Sequence, residues 1–364
     1  MRVVVAPDKF AGTMTAVEAA DAIATGWRRR VPAAEIDEVA LSDGGPGFVD
    51  VLHAALGGEL VAATVPDPYG EPVPATILRV GETAYVESAQ AVGLHLTEPA
   101  DRRPMVASSR GVGELVRAAV QDGARRVVIG AGGSATNDGG AGLLAALGAT
   151  ARGGVLDAGP EGLAGLEAVD VAPARHLTAS VDLVLASDVD HQLLGLVGAT
   201  KAFGPQKGLS EAELLVADGR LQAFAELVDR KVAAAKGAGA AGGIGYALLL
   251  LGATRRPGLE VVAEAVDLAG RLAGADLVIT GEGAFDFSSR SGKVPYGVAQ
   301  IAADRLVPCI ALAGQVLVGA REMRALGIEA AYSVVERFGE ERAFAEPAAA
   351  LADLAERVAR TWGR

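Results

Sequence analysis

The chain has 364 residues, 51% of them hydrophobic, with a mean hydropathy of +0.32, which is more apolar chain than one ordinary core takes and leads us to expect two domains. The net charge is −12, the isoelectric point is near 4.9 and 4% of residues are aromatic, which excludes the basic footprint and stacking platform of a nucleic-acid binder. The apolar run around "GYALLLLGA" at Gly245 is roughly half the length of a membrane span, so no membrane partner is expected.

Met1 and Arg2 lead straight into "VVVAPD", with no basic region followed by a long apolar stretch. No signal peptide is read there, and a cytoplasmic location is expected. The first predicted unit, "RVVVAPDKFAGTMTAVEAADAIATGWRRR", is a strand, a turn and a helix. Thr13, or Thr15 with Glu18 in a capping box, opens the helix. Val17, Ala20, Ile23, Ala24 and Trp27 recur at helical spacing, Arg28, Arg29 and Arg30 sit at the negative end of the dipole, and Pro32 stops the helix. The same sentence of β-branched run, Gly/Asp turn and Ala/Leu-rich helix begins again in "EVALSDGGPGFVDVLHAAL".

From about residue 59 to 100 the pattern changes. Pro66, Pro68, Pro72 and Pro74 break alternating short runs, which predicts antiparallel strands and a change of domain. "LTEPADRRPMVASSRGVGELVRAAVQDGA" reads as a loop entering a helix near Ser109. The strand, turn and helix unit returns in "RRVVIGAGGSATNDGGAGLLAALGA", in "VDLVLASDVD" and in "ADLVITGEGAFDFSSRSGKVPYGVAQIAADRL". Between them "ATKAFGPQKGLS" reads as a Pro/Gly-dense loop before one long helix from about Glu211 to Lys236. Strands alternating with helices in this way predict an α/β fold with largely parallel sheets, whose ligands bind at the carboxyl ends of the strands.

Five predicted strand ends deliver carboxylates into glycine-rich turns: Asp8; Asp43; Asp138; Asp188 with Asp190; and Glu282 with Asp286. Taken singly, each is an ordinary turn residue, but a parallel sheet gathers such turns on one rim. The same loops carry Lys9, Lys201, Lys207, Arg290 and Lys293. Carboxylates, lysines and bare N–H groups at helix starts are what a phosphorylated ligand with Mg²⁺ requires.

Other chemistries find little here. Cys309 in "VPCIALAGQ" reads as a small buried hydrophobe, and His53, His95, His176 and His191 show no metal-ligand spacing. "GAGAAG" at Gly237 fits G-x-G-x-x-G by letter but follows a polar helical run instead of a strand; "SGKVP" at Ser291 lacks the P-loop spacing. Ser134 has no nucleophile elbow around it and suits an anion contact better.

Taken in order, "PDKFAGTMTA", "SDGGPG", "GGSATNDGGAG", "FGPQKG", "GAGAAGGIG" and "VITGEGAFDFSSRSGKVPYGVA" make the chain resemble the type I glycerate kinase family from about residue 2 to the last helix. The resemblance implies two α/β domains, one Rossmann/flavodoxin-like with a largely parallel sheet and one smaller with a mixed sheet, with the active site in the cleft between them. We expect residues 1–65 and 275–364 to form the first and 66–274 the second. It implies transfer of a phosphoryl group from ATP, with Mg²⁺, to D-glycerate, with 2-phosphoglycerate favoured over 3-phosphoglycerate. Kinase activity on a related small hydroxy acid and a non-catalytic sugar-acid-binding module are the alternatives. A monomer or homodimer is expected.

The resemblance is not complete. The family's first turn usually reads Asp-Ser-Phe-Lys-Gly, whereas here Lys9 takes the serine place and Ala11 the lysine place; Pro46 replaces a Glu, and Ser288 a frequent Gln. On the strand-end pattern we expect Asp188 to act as base and Asp43 and Asp286 to hold magnesium. Lys207 and Lys293 would meet phosphate charge. Asp8, Lys9, Gly44, Gly45, Gly281, Glu282 and Gly283 would bind substrate or phosphate. In the Ser134–Gly140 loop, Gly133, Ser134 and Asn137 would approach an anion, beside which Asp138 is expected chiefly to cap the helix that follows.

Overall fold

The computed structural model describes residues 1–10, 12–286 and 293–363. Ala11, Ser288 and Arg290 lie outside the described residues. In chain order the strands are β1 (Arg2–Val5), β2 (Glu35–Glu38), β3 (Glu59–Pro66), β4 (Pro72–Val80), β5 (Thr83–Glu87), β6 (Arg126–Gly130), β7 (Thr150–Arg152) and β8 (Ala168–Asp170). They continue with β9 (Asp182–Ala186), β10 (Thr254–Arg256), β11 (Leu277–Thr280), β12 (Ala284–Phe285), β13 (Cys309–Ala313), β14 (Gln315–Val316) and β15 (Ala330–Ser333).

The chain divides into two compact units. The first comprises residues 1–43, 50–57 and 258–364, the second 44–49 and 58–257. The expected boundaries at 65 and 275 therefore shift. β3 pairs along its whole length with β4, which assigns it to the second unit, and the helix Gly258–Ala265 belongs to the first. The mixed-sheet unit is also the larger of the two, because it carries the helices Ala199–Lys207 and Glu211–Val228 and the small antiparallel ribbon of β7 and β8 in addition to its sheet.

The sheet of the first unit runs β2, β1, β11, β13, β15, every neighbouring pair parallel. Counted along that unit's own chain the order is 2-1-3-4-5, the flavodoxin arrangement, in which the order reverses between β1 and its third strand. The reason lies in the sequence: Val3, Val4 and Val5, like Val278 and Ile279, are fully buried, as continuous apolar strands covered on both faces must be. Cys309 is buried on β13, as expected, and burial raises its thiol pKa to about 12. The helix Ala16–Arg30 starts at Thr15 with the full capping box to Glu18 and buries Ile23 and Trp27. Gly26 is needed there, since a Cβ would lie 1.9 Å from the carbonyl oxygen of Ala352 in the helix Pro347–Trp362.

The sheet of the second unit runs β10, β9, β6, β5, β4, β3. The proline-broken strands β3, β4 and β5 are antiparallel and the remaining pairs parallel. Two helix expectations change. "ATKAFGPQKG" is a helix, Ala199–Lys207, closed by Gly208 at φ +99°, with Pro205 inside it. The long helix ends at Val228, because Asp229 is extended and its carboxylate accepts from the N–H groups of Lys231 and Val232 to cap a separate turn. Among the described residues no helix is long and apolar enough to cross a membrane.

Candidate active site

In the first unit, three adjacent strand ends meet where the strand order reverses. β1 runs on into Asp8, whose N–H donates to the Gly281 carbonyl oxygen just past β11 at 2.8 Å. The segment after β2 continues beside it, the Leu41 N–H donating to the Pro7 carbonyl oxygen, and ends at Asp43. Lys9 lies between two carboxylates, its Nζ 3.8 Å from Asp8 and 3.6 Å from Asp43. Lys293, at the start of the helix Val294–Asp304, repeats the arrangement at 3.7 Å from Glu282 and 3.8 Å from Asp286. Asp8 and Glu282 are buried. Burial pushes the Asp8 carboxyl up to about 6 against the opposing pull of Lys9, with Asp43 adding to the rise.

Gly281 brings these strand ends together, for a Cβ on it would stand 2.0 Å from the Leu312 carbonyl oxygen of β13. Gly283 plays a similar part: its carbonyl oxygen accepts from Gln315 N–H and leaves no room for a Cβ on Gly314. Four carboxylates and two ammonium groups thus alternate at the carboxyl end of a parallel sheet. Among the described residues no three His, Cys, Asp or Glu side chains form a metal-holding group, whereas magnesium takes one or two carboxylates and completes its shell with phosphate oxygens and water.

In the second unit the loop after β6 is built from glycines for backbone contact. Gly130 and Gly132 have no room for a Cβ because Gly44 and Gly45 press against them, and the exposed Gly133, at φ +67°, faces Pro46. Beyond it Ser134, Thr136, Asn137 and Asp138 are all buried. The Asp138 carboxylate accepts from Ser109 N–H at 2.7 Å and Ser109 Oγ at 2.8 Å. It also accepts from Gly140 N–H at 2.9 Å and Gly142 N–H at 3.2 Å. Capping is therefore what Asp138 does, and it caps two helices, the one after Gly140 and the one after Ser109. Desolvation raises its pKa, with the Ser109 hydrogen bonds opposing.

Lys207 is drawn into the same loop. Its buried Nζ donates to Ser134 Oγ at 3.2 Å and to the Thr136 carbonyl oxygen. Burial pulls its pKa down from 10.5 to about 7 despite the nearby Asp138. Asn137 donates through Nδ2 to Thr200 Oγ1 at 3.0 Å, while Asn137 Oδ1 and Thr136 Oγ1 are buried with no partner among the described residues. A recess of about 90 Å³ opens here, lined by Gly133, Ser134, Lys207, Gly242 and Val189. Val189 adjoins the half-buried Asp188 at the end of β9, the strand paired to β6, and Ser187 Oγ ties the two strand ends by donating to the Ala131 carbonyl oxygen.

The glycerate kinase family profile matches residues 3–363 of the chain. The chain belongs to the glycerate kinase family. It is 41% identical to the glycerate kinase of Bacillus subtilis strain 168 over 345 residues, covering 92% of this chain and 90% of that one. It is 40% identical to the glycerate 2-kinase of Escherichia coli K12, covering 93% and 92% of the two chains. A crystal structure assigned as glycerate kinase 2 from Salmonella typhimurium LT2 superposes with a TM-score of 0.84 at 38% identity, over 99% of this chain and 98% of that chain. As a family member the protein is an enzyme of the kinase class.

Among the residues expected at the site of this kinase, Asp8, Lys9, Asp43, Gly281, Glu282, Gly283, Asp286 and Lys293 come together in the first unit. Gly44, Gly45, Gly133, Ser134, Asn137, Asp138 and Lys207 come together in the second. Two of the charged loop residues go elsewhere: Asp190 pairs with Arg255 at 2.6 Å and Lys236 at 3.3 Å, and Lys201 lies 3.7 Å from Asp218. Sequence reading missed Ser109, Thr136, Thr200 and Gly242. The last comes from the rejected "GAGAAG", whose glycines serve packing: a Cβ on Gly242 would fall 1.8 Å from the Thr136 carbonyl oxygen and 2.7 Å from Lys207 Nζ. A second glycine run with no strand before it was the available signal, since backbone packed on backbone requires glycine on both sides.

Proposed function

We propose that this kinase transfers the γ-phosphoryl group of Mg-ATP to the 2-hydroxyl of D-glycerate, giving 2-phosphoglycerate. What carries the reading is the near full-length likeness to a relative named as a glycerate 2-kinase, and the alternating lysines and carboxylates at the switch point of the flavodoxin-type sheet support it. Phosphoryl transfer asks a protein chiefly for positioning and charge neutralisation. In our assignment Lys9 and Lys293 meet phosphate oxygens, and Asp43 and Asp286 would hold the metal, which would supply charge neutralisation at the phosphates.

Asp8 and Glu282, more deeply buried, fix the two lysines. Asp188 takes the proton of the acceptor hydroxyl. The Ser134–Gly140 loop binds the carboxylate of the acceptor, with Lys207 and Asp138 holding it in shape.

The test is to incubate the protein with Mg-ATP and D-glycerate, follow ADP, and identify the product by phosphorus NMR. Glycerate-dependent ADP with the phosphate on the 2-position is expected; phosphate on the 3-position would overturn the regiochemistry, and no ADP would overturn the activity. Folded Asp188→Asn is expected to lose about 10²–10⁴ in kcat, the usual worth of a general base. A loss within about tenfold would remove Asp188 from that role.

A further inference from the structure

A cavity of about 210 Å³ in the first unit is left unused by the chemistry above. Phe10, Met14, Val334, Val335, Phe344 and Pro347 line it, together with Thr13, Gln315 and the glycines Gly283 and Gly314. We propose that this cavity takes the purine base of the phosphate donor, an inference that rests on the ATP-dependent reading and deepens it.

Three observations carry it. The first is position. Phe10 is the chain neighbour of Lys9 and Gly283 that of Glu282, so the cavity opens from the same ends of β1 and β11 that present the lysine and carboxylate cluster. The cavity therefore adjoins the cluster that the proposed reading gives to the phosphates.

The second is the lining, which is mostly apolar, with Thr13 and Gln315 its polar side chains. A small hydroxy acid placed there would leave several polar groups unpaired, which costs more than it returns; a flat heteroaromatic ring loses water from both faces and keeps its polar edge for peptide groups and the Gln315 amide. The third is Phe344. It is 59% exposed, an unusual state for a phenylalanine at a cavity mouth, and it is placed to cover a ring.

The test compares ATP with inorganic tripolyphosphate, which has the charge without the base, by calorimetric titration of wild type, Val335→Trp and Phe344→Ala. Val335 is half-buried at the wall, so tryptophan fills the cavity; Phe344→Ala removes only an exposed side chain and keeps the test open if the filled variant does not fold. We expect ATP affinity to fall at least about tenfold in Val335→Trp and severalfold in Phe344→Ala, with tripolyphosphate affinity unchanged within about twofold. ATP affinity equal to wild type in the folded variants, or a parallel loss for both ligands, overturns the base site and leaves the kinase reading standing. Wild type that binds tripolyphosphate and not ATP overturns both.

Discussion

Lys207 is a cation folded into a place where charge is expensive. Its ordinary pKa of 10.5 is pulled down to about 7 by burial, so the unfolded chain holds this proton over a range in which the folded one has released it. Stability from this residue therefore rises with pH from about 7 to 10.5, by at most ~1.4 kcal/mol per unit, and its destabilising share is fully present below about 7. Denaturant titrations of wild type and Lys207→Met at pH 6.5 and 9 should show the difference between them moving in favour of wild type at the higher pH; a pH-independent difference would mean that Lys207 stays charged. Asp138 is the complementary case. Its oxygens accept four donors, so Asp138→Asn turns an NH₂ toward N–H groups and is expected to cost about 3 kcal/mol in a thermal or chemical melt, with no change in the charge of any surface group.

At the level of elements, the two glycine runs of the second unit act as a pair. Gly139 N–H donates to the Gly242 carbonyl oxygen at 3.0 Å, and Gly243 and Gly139 touch through backbone alone. Gly242→Ala combines a φ of +70° with a backbone clash and should destabilise by about 3 kcal/mol, visible as a lowered melting temperature; a neutral result would show that the loops separate readily. The helix Ala199–Lys207 shows how an element can evade sequence reading. Its phenylalanine, glycine and proline spell a loop, yet it needs only nine residues, ends in a left-handed glycine, and is paid for by burying Thr200 and Lys207 against the Ser134–Gly140 loop.

For the molecule as a whole the charge is −12, and the strand-end cluster itself holds four carboxylates against two lysines. On the proposed reading both substrates are anions that approach that field, so the KM for D-glycerate should fall severalfold as ionic strength rises from about 0.01 to 0.15 M, where the Debye length shrinks from ~30 to ~8 Å. Steady-state rates at fixed Mg-ATP measure this; a rising KM would mean that the local lysines outweigh the overall charge.

Much of this was legible in the chain. The repeated strand, acidic turn and helix, the proline-broken antiparallel segment, the Thr15 capping box and the lysines beside strand-end carboxylates are local patterns, and local patterns follow from backbone sterics and hydrophobic periodicity. The glycine framework carried the family. What only the tertiary structure decided is which charges meet. Asp190 and Lys201 look like Asp188 and Lys207 in sequence, yet the first two are taken by Lys236, Arg255 and Asp218 while Lys207 is buried against residues 71 and 73 positions away. A buried side chain is defined by partners that packing supplies, and the energy that selects them is absent from the residues' own neighbourhood in the chain.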